Sequence, residues 1–239
     1  MAEAGVHGVS FSRAGYTGSA AFPCHWAGDE DSTWEAFQAA IRAGLNAGCA
    51  GIFYWSWDTA GFSGPIPDAE LYLRATAMAA FSPIMQYHSE FNHHEEPRVD
   101  RTPWNIAERT GDTRVLDIYR RFANLRMALK PYLVEQSDRS LVSGKPIMRP
   151  LCFDHPDDPE IWNHPLQYQL GDDLIVAPIV HQGAEEATVY LPAGEWVNCF
   201  SGAPAEAGGE VRRHVPLDQI AVYRRATCSD ALAGVFDTD

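Results

Sequence analysis

The stretch HWAGDEDSTW, residues 25–34, sets three consecutive carboxylates, Asp29, Glu30 and Asp31, between two tryptophans. A second acidic and aromatic stretch, WSWDTAGF at 55–62, joins Asp58 and Phe62 to two more tryptophans. Carboxylates grouped with aromatic faces suit a sugar. Indole and phenyl rings stack on the C–H faces of pyranose rings, while Asp, Arg and His take the hydroxyls in charge-assisted hydrogen bonds. On residue types alone, 29–31 reads better as a solvated charge run ahead of a helix and Arg13 as a surface ion pair, and Asp58 could simply cap a turn. Trp55 and Trp57 alternate along a strand and so face one side, where core packing is as good a reading as sugar contact. His88, His93 and His94 with Glu95 and Glu96 look metal-like, but their spacing matches no standard zinc pattern. They read as a solvated loop, and the sequence calls for no metal and no cofactor.

The elements that must position these residues follow from periodicity. Ser32, Thr33, Trp34 and Glu35 spell a capping box, which starts a helix by satisfying its orphan amides. Trp34, Phe37, Ile41 and Leu45 recur at helical spacing, so the helix is expected over 33–46, ending near Gly48. The apolar run GIFYW at 51–55 reads as a buried strand that stops at Asp58 and Gly61. Carboxylate loop, helix, buried strand and polar loop in succession are the pattern of alternating β/α units on a parallel sheet. A helix begun at Asp68 follows, then a long polar loop over 86–104, and loops of that length tend to be functional. GDTRVLDIYRRFANLRMALKPYL, 111–133, is the clearest helix, with Val115, Ile118, Tyr119, Phe122, Leu125 and Leu129 on one side; Pro131 is expected to kink or end it. Beyond Gly144 and Pro146 the texture changes to short β-rich runs, DLIVAPIV, ATVYLPAG, EWVNCF and QIAVYRR, which read as a small antiparallel sheet or sandwich. The domains expected are 1–146 and 147–239.

Bulk composition narrows the partners. The 239 residues are 46% hydrophobic and 21% charged, with a net charge of −14. That balance argues against nucleic acid or an anionic membrane, both of which need clustered Lys and Arg. A neutral or cationic small molecule fits better. There is no run of about 18 apolar residues and no signal-peptide pattern at the N-terminus, so a cytoplasmic protein is the default expectation. Five scattered cysteines fit neither a disulfide framework nor paired metal ligands and read as mostly buried thiols.

Six segments in fixed order, SRAGYTGS, HWAGDEDSTWE, WSWDTAGF, FSPIMQYH, MRPL and DDLIVAPIV, together resemble glycoside hydrolase family 31, over roughly residues 10–225. The resemblance implies retaining α-glucosidases and α-xylosidases on a (β/α)8 barrel, of which this chain would be the last strands and helices followed by the small antiparallel β domain. It implies that Asp29, in the W-x-G-D motif with Trp26 and Gly28, is the general acid/base. Arg13 matches the arginine of the R-[SA]-G turn that contacts substrate hydroxyls. Asp58 and Phe62 match the D-x-x-G-F loop of the sugar pocket, and His88 matches a further hydroxyl contact. Many members carry an arginine two residues before that histidine; here Gln86 replaces a planar cation by a neutral amide. A general acid is expected to need an apolar wall, which Trp26 and also Trp57 could supply. The helix dipole favours ionised carboxylates near its start, so Glu30 and Asp31 are assigned to the dipole and to solvent.

Retaining hydrolysis also needs a nucleophile carboxylate about 5–5.5 Å from the acid. The family's W-x-D-M-N-E type segment does not occur in these 239 residues. After QIAVYRRA the chain reads TCSDALAGVFDTD, where members continue with a glycine and an apolar strand. Both ends therefore read as truncation, and a partial barrel with unpaired edges is expected to aggregate, associate or fold poorly. The two function classes that follow are part of an exo-acting α-glycosidase working by double displacement, inactive alone, or a non-catalytic carbohydrate-binding relative. The partner in either case is a carbohydrate.

Overall fold

The computed structural model describes residues 8–13, 15–22, 24–88, 98–205 and 208–237. Its first part is a parallel sheet of three short strands, β1 (Phe11–Ser12), β2 (Cys24–Trp26) and β3 (Tyr54–Ser56), in the order β1-β2-β3. Cys24 lies opposite Tyr54, His25 opposite Trp55 and Trp26 opposite Ser56. A further parallel bridge joins Asp58 to Gln86 and extends the set by one rudimentary segment. This is the β/α alternation the sequence predicts.

Helix α1 (Trp34–Cys49) connects β2 to β3 and buries Phe37, Ile41 and Leu45, as their spacing requires. Its cap corrects the capping-box reading. Thr33, not Ser32, is the N-cap, its hydroxyl accepting from Ala36 N at 3.1 Å. The Ser32 hydroxyl is instead occupied by the guanidinium of Arg101. Trp55 and Trp57 do face one side, and it is the core: Trp55 packs on α1 at Gly44, and Trp57 stacks on Phe37 with ring centroids 5.2 Å apart. Trp57 therefore supplies no wall to the acid loop, the segment 27–33 that carries Asp29 between β2 and α1.

Helix α2 (Ala69–Ala80) starts at Asp68, whose carboxylate accepts from Leu71 N at 2.7 Å. Every residue from Leu71 to Ala80 is buried, as expected of a helix covered on all sides. The predicted 86–104 loop gives way to a short helix, α3 (Pro103–Thr110), capped by Thr102 and opened by Pro103; its eight residues are too few and too polar to announce themselves by periodicity. His93, His94, Glu95 and Glu96 lie outside the described residues. Helix α4 (Arg114–Ser143) runs 30 residues, so Pro131 does not end it. Pro131 is exposed, and the turns beyond it are held from the buried side. Tyr132 Oη donates to Leu170 O at 2.9 Å and accepts from Asp173 N at 3.0 Å, while Gln136 Oε1 accepts from Asp172 N at 2.9 Å.

The remainder is antiparallel. Strands β4 (Met148–Pro150), β5 (Tyr168–Leu170), β6 (Leu174–Ala177), β7 (Glu186–Leu191), β8 (Trp196–Asn198), β9 (Pro204–Ala205), β10 (Gly209–His214) and β11 (Ala221–Arg225) form a six-stranded sheet, β4-β5-β6-β11-β8-β9, and a ribbon, β10-β7. Side chains alternate between two cores. Leu174, Val176 and Val222 join the core shared with the helices, and Ile175, Ala177, Ala221 and Tyr223 join a second core with Val189 and Leu191 of the ribbon. Covering on both faces explains why β6 is apolar at every position. After β11 the chain returns to the main core, burying Leu232 and Val235 and stacking Phe236 on Phe81. No helix among the described residues is long and apolar enough to cross a membrane.

A Cβ at Gly44 would sit 2.6 Å from the Trp55 ring. Alanine gains about 1 kcal/mol of helix propensity over glycine, but overpacking costs about 1–3 kcal/mol. Gly44→Ala is expected to lower Tm in a thermal melt; a higher Tm would contradict this packing. β1 has one partner strand, and beyond its pairing with β2 the chain at β3 makes only the bridge to Gln86 among the described residues. The 239-residue chain produced alone is expected to elute above monomer size in size-exclusion chromatography, whereas a monomer with one cooperative melt would refute that expectation.

Candidate active site

The three parallel strands and the bridge segment all point their C-terminal ends to one edge, and each delivers a polar side chain there. Arg13 follows β1, Asp29 follows β2, Asp58 follows β3 and His88 follows the Gln86 bridge. In parallel β/α folds this edge is where chemistry is assembled. Arg13 Nη2 meets Asp29 Oδ2 at 3.0 Å, with the side chains 56% and 35% exposed, so the pair is an orienting contact more than a source of stability. The same guanidinium lies 5.5 Å from the centre of the Trp26 ring. Trp26 meets His88 edge-on at 6.4 Å, and His88 meets Phe62 at 5.0 Å. Five of the six residues singled out by sequence are thus linked by contact, Arg13, Trp26, Asp29, Phe62 and His88, and Asp58 stands at the same edge, bonded to Gln86.

Two glycines permit this approach. Gly28 has φ +109, and a Cβ there would come within 3.1 Å of Arg13 Nε; Gly61 has φ +98, and a Cβ there would lie 2.8 Å from Asp31 O. Both conformations belong to the region that glycine enters freely. Between Asp58 and Gly61 a turn closes through Gly61 N to Asp58 O at 2.8 Å and carries Ala60 at φ +66, a left-handed alanine of the kind that collects at functional loops. The loop is tied across to the acid loop: Glu30 O accepts from Phe62 N at 2.8 Å and from Ser63 N at 3.0 Å.

Asp58 is fully buried, and Gln86 Nε2 donates to its Oδ1 at 2.9 Å. The Gln86 carbonyl in turn accepts from Thr59 N and from the Thr59 hydroxyl. The neutral amide at 86 therefore orients a carboxylate, a role that its mere departure from arginine did not reveal. Burial pushes the Asp58 carboxyl up to about 6, against the downward pulls of the Gln86 hydrogen bond and of His88 and Arg101, with Asp29 pushing the same way as burial. Glu30 corrects an expectation outright. It is half-buried, not a solvated partner of the helix dipole, and burial pushes its carboxyl up to about 7, reinforced by Asp58 and Asp29 and opposed by its own backbone hydrogen bond and by Arg13. Asp31 is exposed, as expected.

Asp58 Oδ2 and Glu30 Oε2 are buried and have no hydrogen-bond partner among the described residues. Spare carboxylate oxygens beside aromatic faces are what a polyhydroxylated ring can use: the oxygens accept its hydroxyls and the rings cover its C–H faces. Among the described residues no group of three or more His, Cys, Asp or Glu is arranged to hold a metal ion. Sequence reasoning also missed Arg101, a fully buried guanidinium that donates to Ser32 Oγ and to the Ser63 and Gly64 carbonyls. An isolated arginine in a charged loop carries no periodic signal, so nothing in the sequence separated it from its neighbours.

Comparison with known proteins bears on the fold that carries these residues. The glycosyl hydrolases family 31 TIM-barrel domain matches residues 2–136, and the family 31 C-terminal domain matches residues 144–227. A 1,3-alpha-isomaltosidase of Kribbella flavida is 58% identical over 236 residues, covering 99% of this chain and 32% of that protein. An isomaltosyltransferase of Sporosarcina globispora is 41% identical, covering 90% of this chain and 20% of that protein. The cycloalternan-degrading enzyme from Trueperella pyogenes, solved in complex with isomaltose, is similar with a TM-score of 0.93 at 56% identity, covering 95% of this chain and 32% of that one. The chain thus spans about a third or less of the length of these relatives.

The raised carboxyls give a pH prediction. Glu30 moves from 4.5 to about 7 on folding. Because the folded state holds that proton more tightly, the unfolded state has released it while the native state retains it between these values, and stability falls as pH rises through that window. Glu30→Gln keeps the neutral form at every pH. The Tm difference between Glu30→Gln and the parent is expected to grow in the variant's favour from pH 4.5 to 7 by calorimetry; a constant difference would place Glu30 in solvent after all.

Proposed function

The chain belongs to glycosyl hydrolase family 31, and from that premise we propose that it carries the acid/base side of a retaining, exo-acting α-glycosidase that hydrolyses O-glycosyl bonds of α-linked glucosides or xylosides. The observation that supports this reading is the convergence of Arg13, Asp29, Asp58 and His88 at the C-terminal ends of consecutive parallel segments, with two carboxylate oxygens unspent beside them. Within that class we favour α-glucans bearing isomaltosyl units, since the 58% identical relative is a 1,3-alpha-isomaltosidase and a similar structure was solved with isomaltose.

In this proposal Asp29 donates a proton to the departing glycosidic oxygen and then, as carboxylate, takes one from the water that releases the sugar. Arg13 orients that carboxyl, as the 3.0 Å contact does already. Asp58, aimed by Gln86, accepts sugar hydroxyls through Oδ2, and His88 contributes a further polar contact. Trp26 and Phe62 cover the apolar face of the ring. The nucleophile comes from sequence outside these 239 residues, so turnover belongs to the longer protein that carries this chain, and substrate contacts alone belong to the chain itself.

Removing a general acid costs about 10²–10⁴-fold in rate. In the full-length protein Asp29→Asn is expected to lose that much kcat/KM, which reports the first step alone, on isomaltose, whose sugar leaving group needs the proton, and to lose much less kcat/KM on α-glucosyl fluoride, whose fluoride departs without one. Asp31→Asn is expected to leave both rates at the parent level. Equal losses on both substrates, or a loss at Asp31 in place of Asp29, would refute the assignment.

A further inference from the structure

Arg101 sits in the turn ahead of α3, far in sequence from either site loop, yet its side chain is entirely buried between them. Nε and Nη2 donate to Ser32 Oγ at 3.3 and 3.1 Å, at the end of the acid loop. Nη2 also donates to Ser63 O at 2.7 Å and to Gly64 O at 3.0 Å, at the end of the pocket loop, while Nη1 donates to Val99 O at 2.8 Å. Its own backbone is fixed from α2, where Tyr72 Oη donates to Arg101 O at 2.9 Å. The planar, rigid fork of a guanidinium can serve several acceptors at once in this way, which an ammonium cannot.

From this geometry we infer that Arg101 is a positioning residue for sugar binding: its fork locks the acid loop to the pocket loop, whose Asp58 receives the sugar. This rests on the reading of the site as an α-glycosidase sugar pocket.

The fork and the charge of Arg101 separate by substitution. Arg101→Lys keeps the charge and loses the fork. Arg101→Met keeps an apolar stem and loses both. Among the described residues, the charged and titratable groups that act on or with Asp58 are Asp29 and Glu30 from the acid loop, His88 beyond the Gln86 bridge, and Arg101. Burial and the acidic neighbours push the Asp58 proton to stay, whereas His88 and Arg101 oppose this. Losing the Arg101 charge therefore makes Asp58 harder to ionise, so the acidic limb of binding moves to higher pH.

The test measures kcat, KM and their pH dependence on 4-nitrophenyl α-glucoside in the full-length protein. A hydrogen bond to a charged group is worth about 1.5–3 kcal/mol, so both Arg101 variants are expected to raise KM roughly tenfold or more. Only Arg101→Met is expected to move the acidic limb upward. A lowered Tm with KM and the acidic limb at their parent values would overturn the inference and leave Arg101 as a stabilising residue alone. Should Arg101→Met not fold, Ser32→Ala decides: it deletes one acceptor and is expected to raise KM roughly threefold to tenfold, and an unchanged KM overturns the inference. If the parent protein turns over no α-glycoside, the functional reading fails instead. The clamp is then read from isomaltose titrations followed by tryptophan fluorescence, where the same pattern in Kd supports it and a Kd unmoved in all three variants overturns it.

Discussion

The register of β2 against β3 is the constraint on which the rest depends. With Trp26 opposite Ser56, the chain leaves both strands at the same level, so Gly28-Asp29 and Asp58 emerge on one edge and their loops meet. Side chains alternate along a strand, so a slip of one residue would exchange His25 and Trp55, which face α1, with Trp26 and Ser56. Trp26 would then leave Arg13 and His88, and the aromatic side of the site would vanish. The register is secured from behind, where Trp55 presses against Gly44 and Trp57 stacks on Phe37. Core packing on one face of the sheet therefore sets the site at its end.

The second requirement is to hold carboxyl groups away from water in a protein of net charge −14. Burying a carboxylate is costly unless its oxygens are satisfied, and here the satisfaction is partial. Asp58 has one oxygen bonded to Gln86 and one unspent, and Glu30 also keeps an unspent oxygen. Both carboxyls respond by holding protons more tightly. Such an arrangement lowers stability at neutral pH and is tolerated where something else, here the loop-to-loop bonds from Glu30 O and the guanidinium of Arg101, keeps the surroundings in place. An unsatisfied acceptor kept at this cost is an acceptor available to a ligand.

Much of this was legible in the sequence, and the legible part follows a rule. Helices α1 and α4 declared themselves because each buries a continuous apolar stripe, α2 through its start at Asp68, and the β-rich runs of the second half because aromatic and branched residues stand between Gly and Pro. Asp29, Asp58 and their partners were legible through motif resemblance. What escaped was decided by tertiary contacts. Pro131 does not end α4, because Tyr132 and Gln136 anchor the turns beyond it to the strand ends. Thr33 displaces Ser32 as the helix cap, because Arg101 has claimed the serine hydroxyl. Arg101 itself contacts residues 37 to 69 positions away, and no local pattern encodes such a contact.

The three adjacent carboxylates show how position overrides residue type. Helix-dipole reasoning keeps Glu30 ionised, but the dipole acts within the first turn, and with Thr33 as the cap Glu30 lies three residues before it. At that distance the loss of water dominates, and Glu30 stays protonated to near neutrality. Asp31 turns outward and its backbone pairs with Ser63, so it contributes to loop docking and not to the carboxyl cluster. Asp29 is the one of the three whose side chain is both partly open to solvent and fixed by a cation, through Arg13. In the proposed mechanism Asp29 exchanges protons with a departing oxygen and then with water, and that role needs both properties at once: access for the incoming molecule, and a fixed orientation when it arrives. The glycine at 28 supplies the turn, the arginine at 13 supplies the orientation, and the half-buried glutamate beside it adds a neutral neighbour at low pH and a negative one above neutrality.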